Sequence, residues 1–260
     1  MVSSLLRANQ VRPASARLSR GDSGGKTMRI GGRLEAQGLV DGPPGWRLAP
    51  EGAAIFEADR LAVVADVHLG YEWARASGGD VVPSHSLNET IATFDRLFAR
   101  VPLDRVIVAG DLTESAAPCP RTARSLARLR AWFAGRGVDL VMVAGNHDPR
   151  RRPPWPESIA VGGWTIAHGH RPIPGDRIVF GHHHPTLKAA GRSAPCFLFD
   201  DRTIALPAFS ANAAGLDVGT APLPEALRAE GLRCVAGTGL ELLDFGPLAE
   251  LRARLAARRA

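Results

Sequence analysis

The sequence predicts an α/β fold in which two sheets pack as a sandwich flanked by helices. Three observations carry that expectation. Val- and Ile-rich runs recur along the chain and end in Gly, Asp, Asn or His. Between the first of these runs lie segments with the 3.6-residue period of amphipathic helices. Beyond residue 160 the apolar segments become short and strand-rich.

The first strand is read in "RLAVVADVHLG" (60–70), which runs into a loop. Ser86 and Glu89 have the spacing of a capping box, followed by Leu87, Ile91, Phe94 and Leu97/Phe98 on one helical face. "DRVIVAGD" (104–111) repeats the strand pattern, and residues 121–136 place Leu126, Leu129 and Trp132/Phe133 on a second helical face. "VDLVMVAGNHD" (138–148) is the third strand. Strand, helix, strand, helix, strand argues for right-handed crossovers and a mainly parallel first sheet. "WTIAHGH", "RIVFGHHH", "CFLFDD", "RTIALPAF" and "GLELLDF" supply a second sheet, mixed or antiparallel, and "PLAELRARLAARR" a terminal helix.

Composition narrows the class. The 260 residues suffice for one sizeable core, and 45% hydrophobic with 22% charged residues is ordinary for a globular protein. No uninterrupted apolar run approaches the roughly 18 residues of a membrane span, so no membrane role is expected. The three cysteines, Cys119, Cys196 and Cys234, are widely spaced and odd in number, which fits a reducing cytoplasm. Residues 1–45 hold seven Lys/Arg against three Asp/Glu, so most of the net charge of +6 lies there and the remainder is nearly neutral. The basic pI is therefore weak support for a nucleic-acid partner. Residues 1–27 are rich in Ser and Arg and lack the roughly 7–15-residue apolar core of a secretory signal. Residues 1–45 are expected to be an N-terminal extension, disordered in its first part and preceding a single domain over 46–260; Met28 is an alternative start, and an organellar transit peptide is a second compositional reading.

Chemistry concentrates at the strand ends. In order these are "ADVH" (65–68), "GDLTE" (110–114), "GNHD" (145–148), "HGH" (168–170) and "GHHH" (181–184). On an extended segment Asp66 and His68 would point the same way, as would His182 and His184, with His183 facing away. Open α/β sheets form their sites outside such strand ends. Asp66, His68, Asp111, Asn146, His168, His182 and His184 would converge there. Carboxylate, amide and imidazole donors without thiolate suit Mn, Fe or Zn. Seven donors are too many for one tetrahedral ion, and two ions sharing a carboxylate would use them all.

Taken together, the five segments resemble the signature of the calcineurin-like metallophosphoesterase superfamily: DxH, GDxx(D/E), GNH(D/E), a later HG and GHxH. "WRLAPEGAAIFEADRLAVVADVHLGYE", "GHHHPTL" and "PCFLFDDRTIALPAFSANAAG" are further similar to the DNA-ligase-associated phosphoesterases and their archaeal relatives. The resemblance covers about residues 45–250 and implies a two-sheet metallophosphoesterase sandwich flanked by helices. It implies two divalent metal ions, Mn foremost. Asp66, His68 and His184 would hold one and Asn146, His168 and His182 the other, with Asp111 bridging both. It implies hydroxide shared by the metals as nucleophile and His147 as proton donor to the leaving oxygen. Glu114 occupies the place where the protein-phosphatase branch carries an acid that orients this histidine. The implied activity is that of a phosphodiesterase, a DNA endonuclease linked to DNA repair, functionally associated with a DNA ligase or helicase. A small nucleotide or other phosphoester substrate, and a non-catalytic scaffold of the same fold, remain alternatives.

Other residues carry two readings at this level. Arg150, Arg151 and Arg152 read either as phosphate contacts beside the metals or as a solvated loop, and Trp155 as a base-stacking platform. His170 reads as a substrate contact or a turn cap. Tyr71, Glu72 and Trp73 could line the cleft or pack in the core. His85 and His183 read as turn residues.

Overall fold

The computed structural model describes residues 38–149, 154–189, 191–228 and 230–257. Most of the expected N-terminal extension, the arginines at 150–152 and the last residues of the chain lie outside the described residues.

The first sheet has six strands in sequence order: β1 (Val40–Asp41), β2 (Trp46–Ala49), β3 (Ala53–Phe56), β4 (Leu61–Val64), β5 (Arg105–Ala109) and β6 (Asp139–Val143). Only β4, β5 and β6 are parallel; β1 to β4 form an antiparallel meander. The expectation of a mainly parallel sheet is therefore half right. The crossovers that allow parallel pairing need about a dozen intervening residues, usually an α-helix, and only short turns, with one 3-10 turn at Glu57–Asp59, separate β1 through β4. Val40 and Asp41, placed by sequence in the extension, pair within this sheet.

Helix α1 (Tyr71–Ser77) follows β4, α2 (Ser86–Arg100) leads to β5, and α3 (Pro120–Ala134) connects β5 to β6. The capping box does not form. The N-cap of α2 is His85, without a side-chain cap, and Ser86 is the first helical residue. The Ser86 hydroxyl is buried and accepts the Gly70 N–H instead (3.4 Å), tying α2 to the loop after β4.

The second sheet contains β7 (Ser158–Val161), β8 (Trp164–Ala167), β9 (Ile178–Phe180), β10 (Pro185–Ala189), β11 (Arg192–Phe199), β12 (Thr203–Ala205), β13 (Leu216–Asp217), β14 (Arg233–Gly237) and β15 (Leu242–Pro247). It is mixed: β8, β9 and β12 are parallel neighbours, β10 pairs parallel with β13, and the remaining ladders are antiparallel. Helix α4 (Leu248–Ala257) closes the chain's described part.

Alternation along the strands sorts side chains into three cores. Leu61, Val63, Ile107 and Val143 face Trp164, Ile166, Phe197 and Val235 between the sheets. Their neighbours Ala62, Val64, Val106 and Val108 face the other way, against Leu87, Phe94, Leu97, Leu129 and Phe133 of α2 and α3. On the far side of the second sheet Leu198, Cys234 and Ala236 pack on Leu248 and Leu251 of α4. The result is helix, sheet, sheet, helix, in which the central strands are buried on both faces and so read as unbroken apolar runs. The three cysteines are free, with Cys196 and Cys234 buried. None of the helices among the described residues is long and apolar enough to cross a membrane. Trp155 is partly buried and packs against the helix-side core. Glu72 is buried, and Arg121 lies over the half-buried Trp73 ring, so these residues serve packing.

Two loops at the strand ends are joined by one buried carboxylate that sequence reasoning passed over. Asp148 accepts the Thr113 N–H (3.0 Å) and hydroxyl (3.2 Å) through Oδ1 and the Gly145 N–H (3.0 Å) through Oδ2. It thereby fixes the loop after β5 to the loop after β6. Its only sequence signal was the fourth position of "GNHD".

Truncating Phe94, which lies tilted against Phe209 at 4.4 Å and meets Phe133 edge-on at 4.9 Å, should cost about 3–5 kcal/mol in denaturant unfolding. Asp148→Ala should destabilise the metal-free protein as well, since each stranded buried donor costs about 1–3 kcal/mol. Asp148→Asn, which keeps an acceptor oxygen, should lose less. A neutral Asp148→Ala would show that the two loops are held by other contacts.

Candidate metal centre

Five of the seven expected metal ligands share a feature that periodicity does not reveal. Asp66, His68, Asp111, His182 and His184 have φ of 58°, 52°, 49°, 69° and 45°; among the described residues Arg60 is the other non-glycine at positive φ. The expectation that 66/68 and 182/184 project together from extended backbone is therefore corrected. The strands end before these residues, and each donor sits in the left-handed region, which Asp and His tolerate better than most residues. Intervening residues bring the pairs back to one side by a turn rather than by a pleat.

The turns are locked by backbone bonds between loops. Asp66 N–H donates to Gly110 O (3.2 Å), His68 N–H to Asp111 O (3.0 Å) and Ser210 N–H to Asp66 O (3.1 Å). Glycine is demanded here by contact, and at Gly110 (φ 84°) by conformation as well. A Cβ on Gly110 would run into the His168 ring, and one on Gly145 into Asp111.

Two donor groups result. In the first, Asp66, His68 and His184 bring ligand atoms within 4.8 Å of one another. His68 Nε2 and His184 Nε2 face each other at 3.4 Å, and His184 Nε2 is 3.2 Å from Asp66 Oδ1. Asp66 Oδ2 accepts the His182 N–H (2.9 Å), while Oδ1 is fully buried without a hydrogen bond among the described residues. In the second, Asp111, His168 and His182 converge. His168 Nε2 is 3.1 Å from Asp111 Oδ2 and 3.0 Å from Asn146 Oδ1. Asp111 Oδ1 accepts the His147 N–H (2.8 Å).

Outer partners fix which ring nitrogen faces inward. His168 Nδ1–H donates to the Ala109 carbonyl (3.1 Å) and His184 Nδ1–H to the Ala214 carbonyl (3.1 Å). A carbonyl can only accept, so Nε2 is left with its lone pair toward the cluster. His68 Nδ1 is 2.9 Å from Glu114 Oε2. Lone pairs aimed at one another, with an orphaned carboxylate oxygen between them, describe a place for a cation.

Without a cation, the neighbouring carboxylates favour a proton on two of these rings, the positive charge that a metal ion would replace. Burial pushes the His168 imidazole toward the neutral form, but hydrogen bonding to Asp111 and the charges of Asp66 and Asp111 outweigh it and raise its pKa. His184 behaves alike: burial opposes, and the Asp66 carboxylate beside it prevails and raises its pKa. For Asp111, the His168 and His147 contacts outweigh burial and lower the pKa. His182 drops to about 4, through burial first and the neighbouring His168 and His183 next, so it is a neutral lone-pair donor at neutral pH.

Glu114 departs from expectation. Its carboxylate faces His68, and it is the Glu114 backbone carbonyl that accepts the His147 Nδ1–H (2.8 Å). The orientation of His147 is thus set by main chain, leaving Nε2 free. His68, Glu114 and His147 also bring donor atoms within 4.8 Å, but His147 Nδ1 is already bonded to the Glu114 carbonyl. His170 lies beside the centre, its ring 5.3 Å from His168 and 6.2 Å from His182. His183 has its ring near Phe180 and belongs to neither donor group, and His85 is an exposed helix cap.

Comparison with known proteins agrees with this fold. A crystal structure of Pseudomonas putida nuclease MPE superposes with a TM-score of 0.60 over 80% of this chain and 98% of that one, a likeness of fold at 24% identity. The "DNA double-strand break repair protein Mre11" of Methanopyrus kandleri is 35% identical over 97 residues, which is 36% of this chain. The match spans 20% of that relative's length. Residues 59–161, containing the first three of the five motif segments, match the calcineurin-like phosphoesterase family. With that match, residues 59–161 are similar to the calcineurin-like phosphoesterases, which supports a phosphoester hydrolase, and the two-sheet fold is shared with the nuclease.

Proposed function

We infer that this protein is a metal-dependent phosphodiesterase that cleaves nucleic acid, with DNA as the substrate and DNA repair as the setting. The observation that carries the reading is the convergence of Asp66, His68 and His184 with Asp111, His168, His182 and Asn146 at the mouth of both sheets. The names of the two relatives, a nuclease and a DNA double-strand break repair protein, support the choice of substrate.

In this reading Asp66, His68 and His184 hold one divalent cation and Asn146, His168 and His182 the other. Asp111, which groups with His168 and His182, would be shared by both. Cations bound there, Mn being the best match and Fe or Zn compatible, supply positive charge for the phosphate oxygens and lower the pKa of water toward about 7. Every remaining role belongs to side chains. His147, held through Nδ1 by the Glu114 carbonyl, presents Nε2 to protonate the departing alkoxide, a task suited to an imidazole near neutral pH. Glu114 steadies His68 through its carboxylate. His170 is placed to meet substrate from the His168 side. The same reading admits phosphate contacts from Arg150, Arg151 and Arg152, and functional association with a DNA ligase or helicase.

Elemental analysis of Mn-loaded protein should find close to two ions per chain, with Asp111→Ala reducing both and His184→Ala mainly one. A single tightly bound ion with full activity would contradict the shared-carboxylate arrangement. His147→Ala should retain metal yet lose activity by roughly 10²–10⁴ on diesters with alkoxide leaving groups. The loss should be much smaller on bis-p-nitrophenyl phosphate, whose nitrophenolate leaves without a proton. Equal losses would remove His147 from the acid role. Turnover of cyclic nucleotides in preference to DNA or RNA would move the substrate to the small-nucleotide class.

A further inference from the structure

A groove of about 650 Å³ opens from His184 and is bordered by Arg96 on α2 and Arg192 on β11. It is distinct from the segment 150–152 that the sequence singled out. One wall is the 208–215 loop, which is seated on the metal centre itself: Phe209 N–H donates to Ala65 O, Ser210 N–H to Asp66 O, and Ala214 O accepts from His184. The groove therefore begins where the scissile phosphate would lie and leads outward from it.

Its charge is uncompensated. The Glu51 carboxylate lines it but is neutralised by Arg100, whose Nε and Nη2 both bond the carboxylate at 2.9–3.2 Å. Arg192 is exposed and has no hydrogen bond or ion pair among the described residues. Arg96 is exposed, and its bond to the Thr93 hydroxyl (3.0 Å) neutralises nothing. The Ser210 hydroxyl also lines it, while those of Thr93 and Thr186 donate to the Glu89 and His184 carbonyls. Much of the remaining lining is Ala, Gly and Pro, and its one aromatic residue, Phe209, is buried in the helix-side core. Such a surface offers charge and close approach for a backbone, with no platform on which bases could stack.

We propose that this groove binds the single-stranded nucleic acid flanking the scissile phosphate, with Arg96 and Arg192 each capturing one neighbouring phosphate regardless of sequence. The proposal rests on the phosphodiesterase reading of the metal centre and adds the path of the strand. The volume suits one or two nucleotides, within the range of small-ligand sites, and not a duplex.

The test compares kcat/KM on a long single-stranded DNA with kcat/KM on bis-p-nitrophenyl phosphate, using Mn-loaded full-length protein. In the Arg96→Ala, Arg192→Ala double variant the ratio of the two should fall at least tenfold. The salt dependence of that ratio should flatten by about 0.7 per lost contact, about 1.4 in all. The Arg96→Lys, Arg192→Lys variant, which keeps both charges, should restore most of the slope. Removing Arg128 and Arg130, exposed on α3 outside the groove, should leave the ratio alone. An unchanged ratio in the double variant, or an equal fall on removing Arg128 and Arg130, overturns the proposal. A wild-type protein that hydrolyses the small diester but not DNA also overturns it while leaving the phosphodiesterase reading intact. A metal-loaded wild type inert on both refutes the reading beneath it.

Discussion

Five side chains able to bind metal leave their strands through backbone that L-residues avoid, and the architecture of the site follows from that constraint. A non-glycine residue in the left-handed region costs on the order of 1–2 kcal/mol, and such conformations persist only where the surroundings over-determine them. Here the surroundings are the other strand ends. Asp66 is fixed by Gly110 and Ser210, and His68 by Asp111. Asp66 in turn fixes His182, and Asp111 fixes His147. No loop holds its donors alone. The strained positions are shared among segments far apart in sequence, so the donor set assembles as a unit.

The donors also show how a hydrolase site can be built with few exposed charges. Main-chain carbonyls at Ala109, Ala214 and Glu114 take the Nδ1 protons of three histidines and set their tautomers. This outer layer costs no extra ionisable group. Where a carboxylate is used in the outer layer, at Glu114, it supports His68 rather than the histidine nearest in role to an acid. Asp148 works one step further out by joining the two loops that present Asp111 and Asn146.

Much of this was legible in the sequence, for identifiable reasons. The parallel strands β4, β5 and β6 are buried on both faces and so appear as continuous apolar runs, and the amphipathic stripes of α2 and α3 are unbroken. Donor residues at strand ends stood out because Asp, Asn and His are unusual directly after such runs. The meander formed by β1 to β3 was missed because its strands are two to four residues long and carry no helix between them. The left-handed turns were missed because a two-residue spacing looks extended when only pattern is available. Ser86 looked like a cap because local spacing cannot show that Gly70 would claim its hydroxyl. The groove beside His184 was invisible because Arg96 and Arg192 are nearly a hundred residues apart and meet only when α2 and β11 flank the same loop.

In the proposed centre Asp111 serves two cations at once. Electron paramagnetic resonance of the Mn-loaded protein reads that directly. Two ions joined through one carboxylate should give the broadened multiline spectrum of an exchange-coupled pair, with little intensity from isolated Mn at full loading. A spectrum consisting only of the six-line signal of magnetically isolated Mn, at whatever stoichiometry, would contradict the shared centre.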